Sequence, residues 1–198
     1  MYAMKIVGCF APLLLFFATK SVDAFVTGAA ISRGSTGSPV QRTTSTCGLR
    51  MVAVGDTPPD FSLKDQNGEM VSLSSFKEQE KSVVVFFYPK DGTPGCTKEA
   101  QAFQADLAKF EELGAEVIGI SRDEDHGKFV QDNGLSMTLL SDTGGKVRKQ
   151  WKVKGAVFGT IDGRVTYVLD KNGVVTSMYD NLLDGAAHSK EAFNALQS

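Results

Sequence analysis

Cysteine is scarce in this sequence, occurring only at positions 9, 47 and 96 of 198. This spacing matches neither the disulfide framework of a small secreted protein nor the paired cysteines of a zinc site. A glycine-rich phosphate loop of the kinase or dinucleotide type is lacking as well. We therefore expect no metal and no nucleotide or other cofactor.

Basic residues are few in most of the chain. Residues 1–50 hold five of the 21 Lys and Arg and one of the 23 Asp and Glu, so residues 51–198 hold 16 and 22, a net charge of −6. An acidic body lacks the basic face that nucleic-acid binding requires, so we expect no nucleic-acid partner. The length and the 42% hydrophobic content of the chain suffice for one globular domain with its own core.

The apolar run at residues 6–18 is shorter than the ~20 residues of a membrane-spanning helix. It follows Lys5 and precedes Val22-Asp23-Ala24, an acceptable cleavage site. This is the pattern of a secretory signal peptide. We expect residues 1–24 to be removed, together with Cys9, and the mature protein not to be inserted in a membrane.

Residues 25–50 lack acidic side chains and contain three Arg and nine Ser or Thr. Such a composition cannot build a core and matches an organellar transit peptide. A signal peptide followed by a transit peptide, with Phe25 at the junction, resembles the two-part address of algae with complex plastids. A flexible extracellular linker is the alternative. We expect delivery to the plastid (chloroplast) and a mature domain over residues 51–198, without Cys47.

Beyond residue 50, strands and helices alternate. The run at 82–88 is continuously apolar, as in a strand covered on both faces. Asn67-Gly68 and Asn172-Gly173 are strong hairpin turn signals. Elsewhere, apolar residues at helical spacing predict helices. The predicted elements are hairpins over 61–73 and 165–179, strands over 82–88, 115–121 and 137–140, and helices over 94–113, 125–132, 146–151 and 184–196.

One helix start has chemical consequences. Thr93 is a good N-cap residue and Pro94 suits the first helical position, which places Cys96 in the first turn. Free backbone N–H groups and the helix dipole stabilise an anion there, so a thiol ionises more readily and becomes a nucleophile. The alternative for Cys96 is a small buried hydrophobic residue. We favour the reactive thiol, because the loop, the N-cap residue and the helix start all lie next to Cys96.

The stretch Pro89-x-x-x-Thr93-x-x-Cys96 resembles the active-site signature of the peroxiredoxins. The segment 95–100, Gly-Cys-Thr-Lys-Glu-Ala, is similar to the peroxiredoxin Q branch, also called the bacterioferritin comigratory protein type. The likeness extends from about residue 54 to residue 196 and includes blocks at 55–61, 139–142 and 163–170. With the order of elements, it indicates an α/β thioredoxin-like fold with an N-terminal β-hairpin extension.

The resemblance implies a thiol peroxidase that reduces hydrogen peroxide and organic hydroperoxides through a Cys96 sulfenic acid. Thr93 then hydrogen-bonds the sulfur or the peroxide, and Pro89 shapes the pocket and excludes water. Arg164 matches the distant arginine of the family, which reaches the thiolate and the peroxide. Glu99 matches the acceptor that orients this arginine. The alternative for Arg164 is a surface charge.

The chain departs from the family at one position. Many peroxiredoxin Q proteins have a resolving cysteine five residues after the first, and here that position is Gln101. We therefore expect a one-cysteine mechanism in which glutathione, glutaredoxin or thioredoxin reduces the sulfenic acid, and a monomeric protein. A non-enzymatic redox sensor or binding module is the alternative. A dithiol oxidoreductase is disfavoured because Cys96 has no C-x-x-C partner.

We assign no catalytic role to the two histidines. His126 is expected in a loop or at a helix start, and His188 on the surface of the last helix, with no Asp or Ser constellation around either. Trp151 is expected to pack in the core or a groove.

Overall fold

A computed structural model describes residues 50–155, 159 and 161–198 of the chain. The predictions for the signal peptide, the transit peptide, Cys9 and Cys47 lie outside the described residues. Among the helices of the described part, none is long and apolar enough to cross a membrane.

The described residues form a seven-stranded sheet with helices between its strands. In chain order the elements are β1 (Ser62–Asp65), β2 (Met70–Ser72), α1 (Leu73–Glu78), β3 (Ser82–Phe87), α2 (Pro94–Glu112), β4 (Ala115–Ser121), α3 (Gly127–Asn133), β5 (Thr138–Ser141), α4 (Lys146–Gln150), β6 (Val165–Leu169), β7 (Val175–Asp180) and α5 (Gly185–Leu196).

The strand order is β2-β1-β5-β4-β3-β6-β7, with β3 parallel to β4 and antiparallel to β6. This pairing places the carboxyl end of β3 beside the start of β6, since Phe87 faces Val165. The predicted N-terminal hairpin, β1 and β2, joins the sheet edge through antiparallel pairing of β1 with β5. The mixed α/β architecture and the hairpin extension are therefore confirmed.

Strand β3 contributes to a core on each face of the sheet, because successive side chains point to opposite sides. Val85 and Phe87 belong to one cluster with Trp151, which is fully buried as predicted. Phe86 belongs to the other cluster, where its ring stacks on Phe103 of α2 at a centroid distance of 4.5 Å. This second cluster includes Cys96. Burial of apolar surface at roughly 25 cal/mol per Å² thus anchors α2 to the sheet.

Helix α2 begins at Pro94 and ends before Gly114, as predicted. Gly114 has a φ of +69°, a left-handed conformation that glycine adopts without strain. Strand β4 has the predicted bounds, and the other boundaries differ from the prediction by at most two residues. Helix α1 was not predicted: its six residues have no side-chain cap and bury only Leu73 and Phe76, so its periodic signal is weak.

Candidate active site

Pro89 and Thr93 lie in the loop between β3 and α2, which follows the carboxyl end of β3 and leads to Cys96 at the start of α2. The first residue of this loop, Tyr88, is buried and donates its hydroxyl to Asp91 Oδ1 at 2.7 Å. The backbone N–H of Asp91 donates to Asp123 Oδ2 at 2.9 Å, which ties the loop to the segment after β4. The loop that precedes the cysteine is therefore fixed by side-chain contacts on both sides.

Cys96 lies in the first turn of α2 and is only 2% exposed. A guanidinium nitrogen, Nη2 of Arg164, lies 3.4 Å from its sulfur. The positive end of the helix dipole and a fixed cation thus act on the same atom. The sulfur thus lies in a region of positive electrostatic potential.

Arg164, directly before β6, is buried and held on three sides. Its Nε donates to the carbonyl oxygen of Leu182 at 3.1 Å, its Nη1 donates to Glu99 Oε2, and its Nη2 points at Cys96 Sγ. The planar fork of arginine allows all three contacts at once, which a lysine ammonium on a flexible stem cannot reproduce. The structure thus brings together three residues that the resemblance assigned to one site.

Glu99 is fully buried one helical turn after Cys96, so both side chains lie on the same face of α2. Burial raises the pKa of Glu99 to about 8, against the opposing attraction of the Arg164 guanidinium. Its Oε1 has no hydrogen-bond partner among the residues that the structure describes.

Thr93 and Pro89, in the loop that precedes Cys96, are both half-buried. Thr93 occupies the predicted N-cap position with an extended backbone, but its side chain makes no capping hydrogen bond. Its hydroxyl donates to the carbonyl oxygen of Lys90 at 3.2 Å. Thr93 therefore occupies the N-cap position without capping the helix, and its hydroxyl proton is directed at the Lys90 carbonyl.

Arg148 was missed by the sequence reasoning. It is buried in α4 and donates from Nη1 to the Gly163 carbonyl at 2.7 Å and from Nη2 to the Tyr88 carbonyl at 2.9 Å. Burial lowers the pKa of Arg148, with Asp162 and Asp142 opposing. It links the start of the cysteine loop to the residue before Arg164. Arg148 precedes the buried Trp151 by three residues, and this helical spacing was the one sequence feature that could have indicated its burial.

The two histidines are both buried. His126 is at the start of α3 as expected, but its Nδ1 lies 2.8 Å from Asp91 Oδ2, so an aspartate does face it. The prediction of a surface position for His188 was wrong. It contacts Thr166 and Glu99, because α5 packs closely against the start of α2.

Among the described residues, no group of three or more His, Cys, Asp or Glu side chains could hold a metal ion. The arrangement around Cys96 consists of its thiol, the Arg164 guanidinium and the Glu99 carboxyl group that contacts this guanidinium. These groups suit nucleophilic chemistry by sulfur.

Comparison with known proteins identifies the family. The AhpC/TSA family model matches residues 54–178. Peroxiredoxin Q, chloroplastic, of Sedum lineare is 55% identical over 149 residues, covering 74% of this chain and 79% of the relative. The protein of the same name from Suaeda salsa is 48% identical over 184 residues, covering 91% and 85%. The chain belongs to the peroxiredoxin Q family.

Solved structures agree with this assignment. Peroxidoxin BcpB of Mycobacterium tuberculosis superposes with a TM-score of 0.68 at 36% identity, covering 74% of this chain and 97% of that one. Peroxiredoxin Q of Xanthomonas campestris gives a TM-score of 0.62 at 29% identity, covering 69% and 89%. The predicted thioredoxin-like peroxiredoxin fold is confirmed. As a peroxiredoxin, the protein is an enzyme with thiol-dependent peroxidase activity.

Proposed function

We propose that Cys96 is the residue that reacts with peroxide. Its thiolate attacks one oxygen of the peroxide, the O–O bond breaks, and a sulfenic acid forms on sulfur. The other oxygen leaves as hydroxide or alkoxide and takes up a proton, giving water or an alcohol. Sulfur is oxidised by two electrons and the peroxide is reduced. The 3.4 Å approach of Arg164 Nη2 to Cys96 Sγ, at a helix start, is the observation that carries this proposal.

The neighbouring residues take complementary roles. Arg164 stabilises the thiolate and the charge that develops on the peroxide oxygens, and Glu99 orients the guanidinium. The Thr93 hydroxyl, three residues before Cys96, hydrogen-bonds the sulfur or the bound peroxide when it releases the Lys90 carbonyl. Pro89 has no N–H to donate and shapes the pocket wall.

The catalytic cycle uses one cysteine. Gln101 stands at the position of a nearby resolving cysteine and donates its amide to Asn133 Oδ1 at 3.2 Å, a contact between α2 and α3. An external thiol therefore attacks the Cys96 sulfenic acid, releasing water and forming a mixed disulfide. A second thiol attacks that disulfide and restores the Cys96 thiol. Glutathione, glutaredoxin and thioredoxin are the candidate reductants, hydrogen peroxide and organic hydroperoxides the substrates, and the enzyme acts as a monomer.

A turnover assay tests this proposal. The wild type and the Cys96→Ser variant are given hydrogen peroxide together with glutathione, glutaredoxin or thioredoxin in separate reactions. Catalytic consumption by the wild type with at least one donor, and none by Cys96→Ser, is the expected result. Oxidation of the wild type once per chain with every donor would favour a redox sensor. Undiminished turnover by Cys96→Ser would remove the site assignment.

We further propose plastid delivery through a signal peptide over residues 1–24 and a transit peptide over 25–50, which leaves a mature domain starting near Met51. The support is the absence of acidic residues from 25–50 and the relatives named chloroplastic. Residues 1–50 fused to a fluorescent protein should reach the plastid of an alga with complex plastids, and Phe25→Ser should stop the fusion before the innermost membranes. Secretion of the intact fusion would contradict the two-part address.

A further inference from the structure

His188 has a defined protonation state in the interior of the protein. Its Nε2 lies 2.8 Å from the carbonyl oxygen of Asn181, which can only accept, so Nε2 carries a hydrogen. Its Nδ1 lies 2.7 Å from Thr166 Oγ1 and accepts the hydroxyl proton. Burial lowers the pKa of His188 to about 4, so the ring is neutral at neutral pH. The ring therefore donates on one side and accepts on the other.

The donor side of His188 fixes the loop that aligns Arg164. The Asn181 carbonyl receives the Nε2 hydrogen, and the next carbonyl along the chain, that of Leu182, receives Arg164 Nε at 3.1 Å. The Asn181 side chain accepts from the backbone N–H groups of Leu183 and Asp184, two and three residues further along, at 3.0 and 3.2 Å. A displacement of the Asn181 carbonyl is thus transmitted to the carbonyl that holds Arg164.

The Nδ1 side of His188 faces Glu99, which together with the Leu182 carbonyl orients Arg164. Its Nδ1 is 3.6 Å from Glu99 Oε1, the oxygen that has no hydrogen-bond partner among the described residues. The other oxygen, Oε2, accepts from Arg164 Nη1. The ring of Tyr179 meets the imidazole edge to face at a centroid distance of 4.7 Å. The imidazole is therefore confined in the space behind the Glu99 carboxyl group.

We propose that His188 is a positioning residue of the peroxidase site. It holds the Asn181 carbonyl, and through it the Leu182 carbonyl, on one side and packs against Glu99 on the other, so that the third contact of Arg164, from Nη2, is directed at Cys96. This inference rests on the proposed action of Arg164 on Cys96.

Two amide substitutions separate positioning from packing. His188→Gln places an amide N–H near the position of Nε2 and retains the hydrogen bond to Asn181, whereas the shorter His188→Asn cannot reach it. Both leave a neutral amide in the same interior site, and both are made in the full chain with Cys9 and Cys47 replaced by serine. Stopped-flow mixing with hydrogen peroxide then measures the loss of the Cys96 thiol.

His188→Gln should react within roughly 3-fold of the parent, and His188→Asn at least roughly 10-fold more slowly, since small misplacements of a positioning group are costly. In the Arg164→Ala background the two amides should differ by less than roughly 2-fold, because the residue through which His188 acts is gone. Equal rates for the two amides, or the same ratio in both backgrounds, would overturn the inference. A parent protein that does not react with peroxide would instead refute the proposed function.

Discussion

Gly185, the first residue of α5, lies against Gly95 of α2, so that a Cβ on Gly185 would be 2.7 Å from the Gly95 carbonyl oxygen. The same Cβ would lie 3.0 Å from Glu99 Cβ and 3.2 Å from Arg164 Nη1. The missing side chain therefore lets two helix starts meet directly beside the buried arginine. This close approach also carries His188, one turn further along α5, into the interior.

Gly185→Ala should destabilise the protein by roughly 1–3 kcal/mol. The added methyl group would clash with the Gly95 carbonyl oxygen, and relieving the clash requires a shift of the backbone. It should also slow the reaction with peroxide, since Arg164 is displaced. Urea unfolding and stopped-flow kinetics measure the two effects. Gly127→Ala, at the start of α3, is the matched control, because its Cβ would meet only the Asp125 side chain at 3.1 Å. Equal stability of the two variants would contradict the tight contact.

Arg164→Lys should lower the rate of peroxide reduction by roughly 10²-fold, and Arg164→Ala by more. Lysine keeps the charge but cannot contact Leu182, Glu99 and Cys96 together. Arg122→Lys is the control, an exposed arginine that forms an ion pair with Asp162 at 3.5 Å. Similar rates for the wild type, Arg164→Lys and Arg164→Ala would show that the guanidinium has no part in the reaction.

Thr93→Val should lower the rate in the same assay by roughly 10²-fold if the proposed role is right, because it removes the hydroxyl that hydrogen-bonds the sulfur or the peroxide and keeps the β-branched shape. Thr93→Ser retains the hydroxyl and should stay much closer to the wild type. If valine and serine at this position gave equal rates, the Thr93 hydroxyl would be only a loop contact to the Lys90 carbonyl.

Glu99 predicts a pH dependence of stability. Its pKa is raised by burial from 4.5 to about 8, so the native state retains a proton that the unfolded state loses, and the free energy of unfolding falls as pH rises through this range. His188, with a pKa lowered from 6.5 to about 4, has the opposite effect, but only below 6.5. Above pH 6.5, of these two groups only Glu99 therefore changes the free energy of unfolding with pH.

Between pH 6.5 and 8 the wild type should lose roughly 1–2 kcal/mol of stability relative to Glu99→Gln, which cannot titrate. Urea unfolding at several pH values measures the difference. Glu116→Gln removes a half-exposed carboxyl group and should keep the wild-type pH dependence. Parallel curves for the wild type and Glu99→Gln would mean that Glu99 is ionised throughout.

The parts of the fold that depend on short stretches of sequence could be predicted. The apolar run of β3, the Asn-Gly turns and the Thr93-Pro94 helix start each specify a local conformation, and the last of these identified Cys96. Arg164 was different, because its contact with Cys96 spans 68 residues and depends on the pairing of β3 with β6. Only the resemblance to a family indicated it.

The error at His188 has a physical cause. The buried residues of α5 are Gly185, His188, Ser189 and Ala192, a helical face without a large apolar side chain. Hydrophobic periodicity cannot identify such a face, since small and polar residues define it. Arg148 was missed because its spacing of three from Trp151 is a weak signal, since an arginine at such a position is most often a surface charge.

Mass spectrometry of the natural mature protein tests the central claim, a one-cysteine peroxidase reaction at Cys96, most directly. The reduced protein receives one equivalent of hydrogen peroxide and then glutathione. A single glutathione adduct on Cys96 is the predicted result, with conversion to the sulfinic acid when peroxide is in excess and thiol is omitted. A loss of two hydrogens within one chain, mapped to a Cys47–Cys96 disulfide, would contradict the account.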